Sequence, residues 1–390
     1  MRELRRGGAL RKPQAPRLQA GAASRTGEAG ELAGLGAFVL VIIIAFLVLP
    51  GLSVAGPTAQ AELQAAAGMR TAMAAIAEEL AARGLSIDPT SDPLGSGLIG
   101  LSWSGLTSTL GSLEAKRSAA QPATAALLVR LLVRAGARPG DTVAIDSSAS
   151  FPGFAIASLI AAKELGITTI FIASAGSSTW GANRPEFSLA DMVGALSRRG
   201  ILDGRVDAVS PGGALDRGLD LEPDALARVL DRAVAGGARL LSSGTLDEAI
   251  GLRRAFIDGL RGDSRLAAIV SIGGNLASTG PGDVLAGRSG ILWPRDFPAG
   301  KAPGRGLVQS FLAEGIPVIR LIDVKDLSAS YGLPWDPDSW PSDPGLPARL
   351  PAAWVFLFAT LALASGFLTR RFANIILYKY IATAGSSGNP

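Results

Sequence analysis

The sequence predicts an α/β domain with a doubly wound, mostly parallel sheet that lies between two transmembrane helices. Three observations support this. Short β-branched runs alternate with helical segments over the middle of the chain, two long uncharged apolar runs flank that region, and a hydrophobic content of 48% in 390 residues supplies a sizeable core. The mean hydropathy of +0.33 is high for a soluble chain, and the two apolar runs account for the excess.

The first apolar run covers residues 32–50 and the second covers residues 352–368. The first is long enough to cross a hydrocarbon core of about 30 Å as a helix, and the second is at the lower length limit of about 17 residues. A buried core helix is the alternative for both runs. A cleaved signal peptide is the further alternative for the first, because small residues at 53–56 form a possible cleavage site. A long leader of 31 residues before the run favours an uncleaved anchor.

The distribution of charge predicts the orientation. The tail at residues 1–31 has a net charge of +4 and the tail at 369–390 has +3, whereas residues 51–350 carry 27 basic and 30 acidic side chains. The positive-inside rule therefore places both tails in the cytoplasm and the central domain outside it.

A helix over residues 61–83 opens the juxtamembrane region, which we assign to residues 51–97. Met69, Met73, Ile76 and Leu80 are spaced by 4, 3 and 4 residues, which places them on one helical stripe. The stripe packs on the domain or forms a dimerising stalk. The loop that follows should be ordered, since Leu98, Ile99, Leu101 and Trp103 are costly to expose.

The α/β domain is assigned to residues 98–330, and a proline-rich linker to residues 331–351. The domain's runs lack strict alternation, as expected of strands buried on both faces. The predicted strands are residues 142–145, 168–173, 205–210, 239–242, 267–272 and 316–322; the predicted helices are 122–135, 154–165, 188–199, 223–235 and 246–260.

Five loops follow these strands and are rich in Ser, Gly and Asn. They are residues 146–153, 174–186, 210–218, 242–245 and 271–282. In open parallel sheets, ligands bind where loops leave the carboxyl ends of the strands. Backbone N–H groups and hydroxyls in such loops suit phosphates and carboxylates. The alternative is that small polar residues merely form tight turns.

Recognisable catalytic motifs are absent. The chain has no Cys and no His, which excludes disulfides, thiolate nucleophiles, Cys/His zinc sites and Ser-His-Asp triads. It also has no GxxxxGK[ST], no GxSxG and no SxxK. Carboxylates such as Asp146, Glu186 and Asp216 could act in acid/base chemistry or hold a hard cation through oxygen ligands, while Asp191 is better explained as a helix cap or dipole partner. The pairs Arg198–Arg199 and Arg253–Arg254 could hold a polyanion but are better explained as solvated helix faces, since the central region is net negative.

Several segments resemble the poly-gamma-glutamate system protein family. They are TLGSLEAKRSAAQPATAALLVRLL, GDTVAIDSSASFPGFAIASLIAAKELGI, SAGSSTWGANRPEFSLADM, SPGGALDRGLDL, SIGGN and EGIPVIRLIDVKDLSASYGLPWDP. The resemblance as a whole covers roughly residues 60–338. The resemblance implies a bacterial membrane protein that acts beside the ligase and membrane partners that make and export the polymer. By motif matching it implies ligand-binding positions at Lys116, Arg117, Asp146, Ser147, Ser148, Ser150, Ser174, Ser177, Ser178, Trp180, Asn183, Glu186, Gly212, Gly213, Asp216, Gly273, Gly274 and Asn275. It implies no catalytic role, and we expect neither a cofactor nor a metal.

Our leading functional hypothesis is a membrane-anchored accessory component of poly-gamma-glutamate synthesis and export. Its extracytoplasmic domain would bind the anionic polymer, another carboxylate ligand or a partner protein, and no nucleic acid. One alternative is an extracytoplasmic hydrolase or transferase that uses Ser or carboxylate residues of the same loops. A solute-sensing domain is the third hypothesis, although the tails contain no recognisable signalling module.

Overall fold

A computed structural model describes residues 58–282, 284–297, 304–340 and 352–386. The chain divides into two compact units, one of residues 55–347 and one that contains residues 348–390. The strands of the first unit, in chain order, are β1 Thr107–Thr109, β2 Thr142–Ser147, β3 Thr168–Ser174, β4 Ser177–Ser178, β5 Asn183–Arg184, β6 Phe187–Ser188, β7 Ala208–Ser210, β8 Arg239–Leu240, β9 Leu266–Ile272, β10 Gly290–Leu292 and β11 Val318–Leu321.

The helices of the same unit are α1 Ala59–Ala82, α2 Leu113–Ala119, α3 Pro122–Arg134, α4 Pro152–Glu164, α5 Leu189–Arg198, α6 Pro223–Ala235, α7 Leu246–Arg261, α8 Leu276–Thr279, α9 Leu307–Ala313 and α10 Val324–Tyr331. The other unit contributes α11, Ala352–Ser386.

The main sheet has seven strands in the order β10-β11-β9-β2-β3-β7-β8, and all pairs are parallel except β10 with β11. The chain runs outward from β2 to β8 and then returns to β9 on the other side of β2. The sheet is therefore doubly wound, with its topological switch point between β2 and β9. All six predicted runs form parallel strands, and the α/β prediction is confirmed.

Helices cover both faces of the sheet. Along β2, Val143 and Ile145 join the core beneath α1, α3 and α4, while Ala144 joins a second core that includes residues of α7 and α9. This two-sided burial explains the continuous apolar runs.

Helix α1 belongs to the core of this unit. The predicted stripe of Met69, Met73, Ile76 and Leu80 is buried, and α1 packs on α3 and α4. The stripe is therefore covered by the chain itself, which argues against the dimerising stalk.

Two further expectations need correction. Leu98 and Ile99 are buried as expected, but Trp103 is 60% exposed. The first part of the predicted linker packs on the domain: Leu333 is buried, and Asp336 accepts hydrogen bonds from the Arg117 guanidinium at 2.6 and 2.9 Å. Residues 341–351 lie outside the described part of the chain.

Among the residues that the structure describes, none of the helices combines the length and apolar character that a membrane crossing requires. The first apolar run, residues 32–50, lies outside these residues, and the second, residues 352–368, lies in α11.

Candidate ligand site at the carboxyl edge of the sheet

A cavity of about 260 Å³ opens at the carboxyl ends of the strands around the switch point. Five hydroxyl side chains and four glycines supply most of its wall. The lining residues are Ser108, Thr109, Ser148, Ser150, Ser174, Gly176, Gly212, Gly213, Ala214, Asp220, Gly274, Asn275 and Leu276. Neither lysine nor arginine lines it, and Asp220 is its one carboxylate.

Four of the five predicted loops meet at this cavity. Loops 146–153, 174–186, 210–218 and 271–282 each contribute lining residues, whereas loop 242–245 does not. The parallel sheet brings them together because it places the carboxyl ends of β2, β3, β7 and β9 at one edge. Two contributors lie outside the predicted loops: the β1 segment at Ser108 and Thr109, and Asp220.

A fully buried arginine ties these loops together from within the protein. Arg253 of α7 has no exposed surface, and its guanidinium donates to both carboxylate oxygens of Asp216, at 2.5 and 2.9 Å. The same group donates to the Ser210 hydroxyl at 2.6 Å and to Asp146 Oδ1 at 3.2 Å. The prediction that Arg253 lies on a solvated face is wrong.

The network extends from Arg253 to the cavity wall. Ser174 Oγ lies 3.3 Å from the guanidinium and accepts a hydrogen bond from the Asn275 side-chain amide at 2.7 Å. Ser174 and Asn275 both line the cavity, so one buried cation fixes loops that follow β3, β7 and β9. The cavity wall is thereby held in place before any ligand arrives.

Asp146 is the second carboxylate that pairs with Arg253. It is fully buried, and burial raises its pKa, while the positive charge of Arg253 opposes that rise and the negative charge of Asp216 adds to it. Its Oδ2 atom accepts no hydrogen bond from the described residues.

The loop that carries Asp216 has an unfavourable backbone. Leu215 and Asp216 adopt φ values of 53° and 60°, in the left-handed region that non-glycine residues rarely occupy. Arg253 holds the Asp216 carboxylate there, and Leu215 is left 44% exposed beside the cavity-lining Ala214. This strain at the cavity edge is consistent with a functional loop.

A second buried cation lies behind the cavity wall. The Lys116 amine donates to the Ser150 carbonyl oxygen at 2.5 Å, contacts Ser178 Oγ at 2.7 Å, and lies 3.6 Å from the centre of the Phe151 ring. Burial lowers the pKa of Lys116 to about 7.

The other implied positions have structural roles or lie elsewhere. Asn183 is buried and its side chain pairs with both backbone polar groups of Leu101, at 2.8 and 2.9 Å. Arg117 forms an ion pair with Asp336. Glu186 is exposed and does not line the cavity. Ser147, Ser177, Trp180 and Gly273 also fall outside that lining. Asp191 forms a capping box with Ser188 at the start of α5, as predicted for a cap.

Groups of three or more carboxylates that could hold a metal ion are not found in the described parts of the chain.

No protein-family model, curated protein or solved structure matches this chain.

Arg253 is the functional-site residue that sequence reasoning missed most clearly. It shares one helical stripe with Ala249 and Ile257, four residues away on either side, and all three are buried. That spacing was a usable signal, because an arginine between two apolar stripe positions must either disrupt the core or find buried carboxylates.

Proposed function

We propose that the cavity binds a carboxylate-bearing chain, and that the protein is a membrane-anchored accessory component of a poly-gamma-glutamate synthesis and export system. The observation that carries the binding proposal is the convergence of four Ser- and Gly-rich loops on one preorganised cavity. The resemblance in the motifs quoted above carries the assignment to that system.

The chemistry of the wall suits a carboxylate held by neutral donors. Five hydroxyl side chains line the space together with glycines such as Gly212, Gly213 and Gly274, which have no side chain to cover their backbone polar groups. Neutral donors in a fixed arrangement stabilise an anion without the desolvation cost of a buried cation.

The size of the cavity favours one unit of a chain over a large ligand. About 260 Å³ is below the roughly 300–1,000 Å³ of sites for drug-sized molecules. A polymer would place one or a few carboxylate-bearing units in the cavity and extend along the surface on either side.

Binding of polymer by the full chain tests the proposal. Isothermal titration with poly-gamma-glutamate should show saturable binding, and Ala214→Trp should weaken it at least tenfold because the indole fills the cavity. The matched control is Ala227→Trp, since Ala227 is exposed on α6 and does not line the cavity. Equal affinity of Ala214→Trp and the unmodified protein contradicts the proposed site.

The dependence on salt and on competitors sharpens the test. Since the wall contains no basic side chain, the affinity should fall only modestly between 50 and 200 mM salt, unlike binding to a polybasic surface. Glutarate should compete better than inorganic phosphate if the cavity selects carboxylates.

The membrane part of the proposal places residues 32–50 and 352–368 in the bilayer, with both termini cytoplasmic and the α/β domain outside. Apolar run length and the basic tails support this arrangement. Protease added to intact spheroplasts should digest the α/β domain and spare the tails. Deletion of the gene should change the amount, length or surface retention of the polymer.

A further inference from the structure

Lys116 and Ser178 form a close pair of side chains that the binding proposal does not use. Lys116 Nζ and Ser178 Oγ lie 2.7 Å apart, and the two residues are 3% and 5% exposed. They are 62 residues apart in sequence, so no local SxxK motif reveals them.

The burial of Lys116 favours the neutral amine, while its position over the Phe151 ring favours the cation. Its described hydrogen-bond partners are a carbonyl oxygen and a hydroxyl, and no carboxylate is among them. Burial alone lowers its pKa to about 7, so a large share of the side chain is uncharged at neutral pH. Lys116 Nζ donates to the Ser150 carbonyl and to Ser178 Oγ, whose own hydroxyl donates to the Thr179 carbonyl at 3.5 Å. When Lys116 is neutral its nitrogen has a lone pair, so the Ser178 hydroxyl can instead donate to that nitrogen.

The pair adjoins the cavity. The Ser178 backbone N–H donates to Ser150 Oγ at 3.0 Å, and Ser178 is paired with Thr109 in the short β1–β4 ladder. Ser150 and Thr109 both line the cavity. A ligand that reaches these two residues is one side chain away from the Ser178 hydroxyl.

Gly111 packs closely against the pair. A Cβ atom at this half-buried position would lie 2.9 Å from Ser178 Oγ and 3.1 Å from Lys116 Cε. Any other residue here would therefore crowd both side chains of the pair.

We propose that Ser178 is a nucleophile and Lys116 its general base, and that the pair cleaves amide bonds in a carboxylate-bearing chain. The substrate class rests on the proposed function, whereas the pairing rests on the geometry alone. The arrangement matches that of a hydroxyl nucleophile activated by an adjacent base.

The reaction balances with water as the co-reactant. Ser178 Oγ bonds to the amide carbonyl carbon while its proton passes to the Lys116 amine. The carbon–nitrogen bond then breaks, and the departing amine takes the proton from Lys116. Water, deprotonated by Lys116, attacks the acyl ester, so that Ser178 regains its proton and a carboxylic acid is released.

A fluorophosphonate probe tests the nucleophile in the full chain without any polymer. Peptide mass spectrometry should find the label on Ser178, and the labelling rate should rise with a midpoint near pH 7 as Lys116 loses its proton. Lys116→Met should reduce the rate by about 100-fold or more. Gly111→Ala should also slow labelling because its methyl group crowds the hydroxyl.

Ser158→Ala is the matched control. Ser158 is buried like Ser178, but its hydroxyl donates to the Phe154 carbonyl at 2.7 Å and the residue does not line the cavity. Its labelling rate should remain within twofold of the unmodified protein. Absence of label, or label that persists in Ser178→Ala, overturns the proposed nucleophile.

Polymer cleavage supplies the second readout. Size-exclusion chromatography of poly-gamma-glutamate incubated with the full chain should show shorter chains, and Ser178→Ala should abolish the change while still binding polymer. Labelling of Ser178 without cleavage of polymer that binds overturns amide cleavage. Failure of polymer to bind, with Ser178 still labelled, instead contradicts the proposed function and its substrate class.

Discussion

Replacement of Arg253 by Met is the most demanding test of how the cavity is built. The change removes two contacts to Asp216, at 2.5 and 2.9 Å, and one to Asp146 at 3.2 Å, and leaves both carboxylates buried. Breaking one side of a buried ion pair costs about 3–5 kcal/mol. At about 2 °C per kcal/mol for a domain of this size, the melting temperature should fall by about 6–10 °C.

The adjacent Arg254 provides the control. Its guanidinium is partly exposed and pairs with Asp258 and Glu314 at the surface, so Arg254→Met should cost less than about 1 kcal/mol. Adding Asp146→Asn and Asp216→Asn to Arg253→Met should recover part of the loss, because the amides carry no buried charge. Differential scanning calorimetry of the full chain measures all of these variants.

The pH dependence of the Arg253→Met loss follows from the carboxylates. Without the guanidinium, the pKa of Asp146, already raised by burial, rises further in the folded protein. The loss of stability in Arg253→Met is therefore present above the pKa of Asp146 in the folded variant, and it declines as the pH falls through that pKa. The melting temperature of the variant should be closer to that of the unmodified protein at pH 5 than at pH 7.5. A melting temperature within 2 °C of the unmodified protein at pH 7.5 refutes this account of Arg253.

Three smaller predictions concern separate parts of the fold. Lys116 has a pKa of about 7 in the folded protein and an ordinary pKa in the unfolded chain, so the free energy of unfolding should increase by about 2 kcal/mol from pH 7 to 9. Chemical denaturation measures this increase, and Lys116→Met should remove it. A free energy of unfolding that is the same at pH 7 and pH 9 contradicts the burial of a neutral amine. Thr245→Ala should cost about 1 kcal/mol because Thr245 and Glu248 form the capping box of α7, while Thr245→Ser should be nearly neutral in the same assay. Leu215→Gly should not destabilise the protein and should raise the melting temperature slightly, since glycine tolerates φ near 53°. A decrease of more than about 1 kcal/mol in the free energy of unfolding shows instead that the Leu215 side chain contributes packing.

The sheet was predictable because its strands are buried on both faces and are separated by helices with clear signals. Pro223 at the first helical position predicted α6 with both ends correct, and Thr245 with Glu248 predicted the start of α7. The antiparallel strand β10 was missed because three residues give too short a pattern to distinguish from a loop. Helices α2 and α9 were also missed, because seven residues give only about two turns of helical periodicity.

The candidate site was predictable in its location but only partly in its chemistry. Strand-end loops converge in any parallel sheet, so the loops of Ser148, Ser174, Gly212 and Asn275 were expected together. Local sequence patterns do not predict contacts between residues that are far apart in the chain. Lys116 and Ser178 are 62 residues apart, and Asp146 and Arg253 are 107 residues apart. These contacts arise from the winding order of the strands.

Photocrosslinking tests the central claim most directly. A short poly-gamma-glutamate chain that carries a diazirine should be mixed with the full protein, irradiated and mapped by peptide mass spectrometry. Our account predicts crosslinks to the peptides that contain residues 108–109, 148–150, 212–214 and 274–276, all abolished by excess polymer. Crosslinks confined to other surfaces, or crosslinks that excess polymer does not suppress, contradict it.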